Sequence, residues 1–166
     1  MYFEAVKSIS SDGDHARVLS TLLAAHGDDR DTLVRLPGSA QKIASDGDKA
    51  RVLKEDVARY SDDELIRNAF IDAANSISSD GDHQQVPVAL LHRQGISAAT
   101  VGGIAKSAQR ISSDGDKALV FEQLVGENLE LVRGKFFAAA DIWLTWLRQP
   151  FLTEVERCPN LRPPLQ

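Results

Sequence analysis

Shifted along itself by 34 residues, the chain lays apolar positions over apolar positions. Val18, Val52, Val86 and Val120 coincide, followed by Leu19, Leu53, Pro87 and Phe121, then Leu22, Asp56, Leu90 and Leu124, then Leu23, Val57, Leu91 and Val125. Spacings of i, i+1, i+4 and i+5 put such side chains on one face of an α-helix. They predict a first helix in each unit, ending near Ala25, Arg59, His92 and Gly126. A polar joint follows, with Gly27, Ser61 and Gly95 at equivalent places. A second stripe then aligns Leu36, Phe70, Ile104 and Ala138, next Ala40, Ala74 and Ala108, and finally Ile43, Ile77 and Ile111. Its steps of four and three also describe a helix, and the small Ala admits a close neighbour. Each unit is therefore expected to be a helical hairpin, and a fixed period of this length marks a repeat array.

The polar residues between stripes repeat more strictly still. Ile9–Asp14, Ile77–Asp82 and Ile111–Asp116 read ISSDGD, and Ile43–Asp48 reads IASDGD. In each hexad a Ser stands three residues before an Asp: Ser11 and Asp14, Ser45 and Asp48, Ser79 and Asp82, Ser113 and Asp116. That spacing suits a helix start, with an acceptor at the N-cap and another at N3. The other Asp of each hexad (Asp12, Asp46, Asp80, Asp114) adds negative charge where the helix dipole is positive. Ser61-Asp62-Asp63-Glu64 reads as a capping box for a second helix. Gly13, Gly47, Gly81 and Gly115 are expected at a tight joint where a side chain would collide with the next unit. Pro37-Gly38 and Pro87 fall inside predicted helices and are expected to break or kink them.

The ends depart from the period. Tyr2 and Val6 align with Leu36 and Ala40, so the chain is expected to open partway through a second helix. Phe136, Ala139, Ala140, Trp143, Trp146 and Leu147 stripe a capping helix over about 128–148, with no fifth hexad after it. A single repeat domain is thus expected over 1–149. The remainder, 150–166, carries Pro159, Pro163 and Pro164 and is read as a tail.

Bulk composition narrows the class. With 166 residues, 43% hydrophobic and 26% charged, the chain has the make-up of a folded domain. A net charge of −5 gives no reason to expect nucleic acid, whose binding needs clustered Lys and Arg. Cys158 is the single cysteine, so neither an internal disulfide nor a cysteine zinc site can form. The start, MYFEAVKSIS, lacks the features of a secretory signal. The longest apolar tract, around Phe136 to Leu147, falls short of the ~20 residues a membrane span needs. A cytoplasmic protein with no membrane contact is expected.

Hairpins of this length are similar to the tetratricopeptide class, although its pattern of Trp, Leu-Gly, Tyr, Ala and Pro is missing. The paired apolar stripes resemble HEAT-like repeats, which are usually a little longer. The hexad with its continuation, ISSDGDKARVL-like, resembles a short repeat of uncharacterised bacterial proteins, including regions appended to some antibiotic-sensing membrane peptidases. This resemblance covers about residues 1–126. The chain has no HExxH zinc-peptidase motif, so the resemblance implies no enzymatic activity.

Candidate chemistry is sparse. Asp-Gly-Asp is how calcium loops begin, which makes Asp12, Asp14, Asp46, Asp48, Asp80, Asp82, Asp114 and Asp116 calcium candidates. An EF-hand loop counted from Asp12, however, would have Ala16 at position 5 and Leu23 at position 12, where oxygen ligands are required. Helix capping is the favoured reading, with an acidic partner-binding ridge as another. His15 and His83 stand where Lys49 and Lys117 stand in other copies and are read as exposed substitutes for Lys. No nucleophile is arranged with a base and an orienting group, and no phosphate loop occurs.

These features lead to an all-α, right-handed solenoid of about four 34-residue hairpins plus the capping helix. The expected function is a non-enzymatic protein-interaction scaffold with an unidentified protein partner, no nucleic acid and no cofactor. Exposed positions that change between copies (Lys54, Arg59, Arg67, His92, Arg93) are the candidate contacts. Trp143, Trp146 and Phe137 join them, with a homodimer expected through the Trp-bearing helix or the N-terminal half unit. The alternative is a small helical domain binding a metal or small ligand at the Asp-Gly-Asp edge.

Overall fold

A computed structural model describes residues 2–6 and 8–127. Among these the chain is all-α: α1 Tyr2–Val6, α2 Asp12–His26, α3 Arg30–Ala40, α4 Asp46–Val57, α5 Glu64–Ala74, α6 Asp80–Leu91, α7 Ala98–Ala108 and α8 Asp114–Glu127. Three units each hold a first and a second helix (α2–α3, α4–α5, α6–α7), and α8 opens a fourth. First helices pack in the order α2, α4, α6, α8, and second helices in the order α1, α3, α5, α7, while each hairpin also packs on itself. The result is two layers of helices stacked on their neighbours, consistent with a helical repeat.

The apolar stripes form the core between these layers. Leu19, Leu53, Val52, Val86, Val120, Leu90 and Leu124 of the first helices are buried, as are Leu36, Phe70, Ile104 and the Ala40, Ala74, Ala108 series of the second. Ile43, Ile77 and Ile111, at the close of each hairpin, are buried as well. Burial of each large side chain contributes roughly 1.5–3 kcal/mol against the loss of chain entropy. No described helix is long and apolar enough to cross a membrane.

Several local expectations are corrected. Neither proline breaks its helix: α3 runs through Pro37 and α6 through Pro87. Both rings are buried, and Pro87 occupies the core slot of Leu19 and Leu53. Its apolar contact offsets part of a penalty of about 3 kcal/mol. The capping box at Ser61 does not form, because α5 begins two residues later than a Ser61 cap requires. Asp63 is the N-cap and accepts from the Leu65 amide. The repeated glycines are not at crowded joints either: a Cβ on Gly13, Gly47, Gly81 or Gly115 would meet nothing within 4 Å. Nothing in the structure explains why all four are glycine. The predicted capping helix, with Phe137, Trp143 and Trp146, and the Pro-rich tail lie outside the described residues.

Candidate functional site

The hexads do begin helices. Ser11, Ser45 and Ser79 are N-caps in extended conformation, each accepting from the amide of the Asp three residues on. Ser113 accepts from the Asp116 amide in the same way. The other Asp of the hexad does more than meet its own helix dipole, since its carboxylate reaches the next hexad. Asp12 accepts from the amides of Ala44 at 3.0 Å and Ser45 at 2.9 Å. Asp46 accepts from Ser78 at 3.0 Å and Ser79 at 2.9 Å. Asp80 accepts from Ser112 at 3.0 Å and Ser113 at 2.8 Å. One carboxylate thus satisfies two orphan amides at the following helix start. The amides of Ser112 and Ser113 hold the Asp80 carboxyl below its usual range. For Asp46, burial works the other way, and the Ser79 amide, Lys49 and the Ser78 amide outweigh it.

The calcium candidates are therefore placed in two rows with different tasks. Asp12, Asp46 and Asp80 are occupied by amides. Asp14 pairs with Arg17 at 2.9 Å and Asp48 with Arg51 at 3.0 Å. Among the described residues, no three His, Cys, Asp or Glu side chains converge as a metal site would require.

Beneath this edge runs a buried polar row that the sequence reading placed at the surface. His15 and His83 are 4% and 2% exposed, so they are core residues and not exposed stand-ins for Lys. His15 Nε2 lies 3.1 Å from Ser39 Oγ, and His83 Nε2 lies 2.9 Å from Ser107 Oγ. Ser107 donates its own proton to Asn75 Oδ1 at 2.8 Å, so it accepts from His83, which carries its hydrogen on Nε2. Burial lowers the pKa of both histidines and so favours their neutral form. In the second unit Lys49 fills this slot, 5% exposed, and donates to the Ser76 carbonyl at 2.9 Å and to Asp46 at 3.3 Å. The signal was available: where the slot holds His, a Ser stands 24 residues on (Ser39, Ser107), and where it holds Lys49, that place is Ala73.

At the opposite end of the hairpins, the joints of the second and third units enclose a polar cleft of about 380 Å³. It is lined by Arg59, Tyr60, Ser61, Asp62 and, from the next unit, Arg93, Gln94, Gly95 and Ile96. Gly95 has φ 78°, a left-handed turn that suits glycine. Asp62 accepts from the Ser97 amide and the Thr100 hydroxyl, and Thr100 Oγ1 lies 3.0 Å from Tyr60 Oη. Burial disfavours ionised Asp62, yet Thr100, Ser97 and Arg67 hold its carboxyl below the usual range. Tyr60 is pushed up to about 12, chiefly by burial.

Arg59 and Arg93, expected as partner contacts, both border this cleft, and each also ties two units together. Arg59 pairs with Asp28 at 2.9 Å, and Arg93 Nη1 donates to the carbonyls of Val57 and Ala58 at 3.0 and 2.9 Å. Arg67 pairs with Asp62 at 3.4 Å. Lys54 donates to Gln85 at 2.6 Å, and His92 lies 3.2 Å from Gln123. All five candidates are engaged within the chain, four of them across units.

One residue of the core stands apart. Asp56 is fully buried, and neither carboxylate oxygen has a hydrogen-bond partner. Desolvation pushes it up to about 7. Equivalent positions hold Leu22, Leu90 and Leu124.

No family model matches this chain, and no curated protein or solved structure is detectably similar to it.

Proposed function

We propose that the chain is a non-enzymatic interaction scaffold of bacterial type, acting in the cytoplasm. In this reading the helices form a right-handed α-solenoid of about four hairpins, completed by a capping helix, and the ligand is another protein. The observation that carries it is the division between repeated and unrepeated positions. Residues that recur in every copy, such as the hexad Asp and Ser and the apolar stripes, are engaged in holding units together. Residues on the outer side of the first helices change chemistry instead: Arg17, Arg51, Gln85 and Leu119 at one position, Thr21, Glu55, Ala89 and Gln123 at another. A constant backbone that presents a varied surface suits recognition of an extended partner. The net charge of −5 favours a protein ligand over nucleic acid.

The test is affinity capture from the native host with the full chain and with an Arg51→Ala/Lys54→Ala/Glu55→Ala variant, whose three changes lie at exposed positions. A specific protein retained by the wild type and lost by the variant supports the scaffold. Identical capture by both removes this face as the binding surface.

A further inference from the structure

The cleft between the second and third joints gathers hydrogen-bond donors that the chain does not use. One wall is the turn over residues 93–96, in which Gly95 takes φ 78°. In the second joint the Tyr60 amide donates to the Val57 carbonyl at 3.2 Å. Its counterpart on Gln94, and the amides of Gly95 and Ile96 that follow, have no acceptor among the described residues. Successive N–H groups in a turn of this kind make a concavity that receives anions.

Side chains bring positive charge to the same place. Arg93 places Nη1 on the Val57 and Ala58 carbonyls, and its Nε and Nη2 have no acceptor among the described residues. From the other wall, Arg59 places Nη1 on Asp28, whose side chain is 91% exposed. A pair so open to water is weak, so an anion in the cleft competes for this guanidinium. Asp62 is the one acidic residue of the lining, and its charge is spent within the chain. Oδ1 accepts from Thr100 and Arg67, and Oδ2 from the Ser97 amide. The cleft therefore offers two guanidinium groups and three backbone amides, with its only carboxylate already engaged.

We infer that this cleft binds a phosphate dianion, as inorganic phosphate or as the phosphate group of a small polar ester. The Gln94, Gly95 and Ile96 amides and Arg93 donate to its oxygens from one wall, and Arg59 donates from the other. A carboxylate has two oxygens in one plane, whereas phosphate has three acceptor oxygens in a tetrahedral array and so meets donors on facing walls. The volume of about 380 Å³ has room for a small polar body beside the anion. The inference does not rest on the scaffold reading, which lies on the outer side of the first helices.

Amide NMR of the full chain, titrated at neutral pH and constant ionic strength with inorganic phosphate and with glycerol phosphate, tests it. Saturable shifts are expected at the Gln94, Gly95 and Ile96 amides, and sodium chloride should give none. Tighter binding of glycerol phosphate assigns the site to phosphate esters, and equal or weaker binding assigns it to free phosphate. Arg59→Gln, at an exposed side chain, is expected to weaken binding roughly tenfold. Arg93→Gln should weaken it at least as much. Because Arg93 also holds the end of α4, Arg59→Gln alone decides if circular dichroism shows that Arg93→Gln disturbs the fold. Phosphate that moves none of the three amides, shifts that chloride reproduces, or an affinity unchanged in Arg59→Gln overturns the inference.

Discussion

The two edges of the stack join the same units by different means. At the hexad edge three successive junctions use one contact, a carboxylate on two backbone amides. At the joint edge each junction has its own. The first and second units are tied by Arg30 on Asp63 and Arg59 on Asp28, the second and third by Asp62 on Ser97 and Thr100 and by Arg93 on carbonyls of α4. Backbone amides are the same whatever side chains surround them, so an Asp that takes amides works in every copy. A side-chain pair depends on its partners and on their competitors: Arg30 and Asp63 give way to Glu64 and Ser97 one unit on, and Asp62, the counterpart of Asp28, is taken by Ser97 and Thr100 instead of Arg93. The hexad edge therefore tolerates sequence drift nearby, whereas the joint edge records it.

Removing the repeated carboxylate should have the largest effect. Asp46→Ala leaves the Ser78 and Ser79 amides without their acceptor and takes an anion from Lys49, whose side chain is 6% exposed. The expected loss is about 2–4 kcal/mol in urea unfolding at neutral pH. Asp114→Ala, at a carboxylate that accepts from no amide among the described residues, should change stability little. Equal effects of the two would show that the ladder does not hold the units.

Asp56 sharpens the contrast from within the core. With its carboxyl pushed up to about 7, the folded chain holds a proton that the unfolded chain, with a carboxyl near 3.8, releases. Its stabilising contribution is complete below the unfolded value and is lost as pH rises through about 7. The buried histidines act in the opposite sense. Their pKa values lie below 6.5, so their contribution is complete above that value and falls away as pH drops beneath it. Asp56→Leu, which restores the residue of the other copies, should stabilise the fold by about 2–3 kcal/mol at neutral pH. It should also abolish the decline that runs from the unfolded value of 3.8 up to about 7 and leave the loss that the histidines cause on acidification. A pH series of denaturant midpoints decides, and an unchanged decline up to about pH 7 in the Leu variant would remove Asp56 as its source.

The parts that were legible in the sequence are those governed by periodic burial. The stripes through Val52 and Phe70 located both helices of the hairpin, and Ser11 and its counterparts located the helix starts. The reach of Asp12 to Ala44 and Ser45 was not legible, because a short-range S-x-x-D pattern explains the same letters without any second unit. Ser61-Asp62-Asp63-Glu64 misled for the same reason: Asp62 is drawn to Ser97 of the next unit, and Asp63 caps in its place. His15 and His83 were misplaced because alignment with Lys suggests solvent, although Lys49 is itself buried. Asp56 was visible in the alignment as a lone carboxylate among leucines, but only burial gives it meaning.

The buried row offers a smaller break in the comparison. Ser107→Ala removes the acceptor of His83 and the donor to Asn75, and should cost about 1–2 kcal/mol. Ser39→Ala removes one bond, that of His15, and should cost less. Unfolding of the two variants side by side checks the order, and a reversed ranking would show that the Asn75 link carries no weight.

The smallest effect tests the one strictly repeated residue that holds no contact. Gly13, Gly47, Gly81 and Gly115 occupy the second position of their helices, none has the positive φ that would require glycine, and a Cβ on each would point into open space. Glycine there retains more freedom in the unfolded chain than alanine, so each Gly→Ala change should stabilise by about 0.4–1 kcal/mol. The gain should be equal in the first, second and third units, because the hexad edge is equivalent in each. Gly27→Ala at the joint edge should instead destabilise, since its Cβ would lie 2.4 Å from the Leu23 carbonyl oxygen. Denaturant midpoints of the four single variants and Gly27→Ala are the measurement. Destabilisation by Gly13→Ala, Gly47→Ala and Gly81→Ala alike would mean that the hexad edge lies against something beyond the folded chain itself.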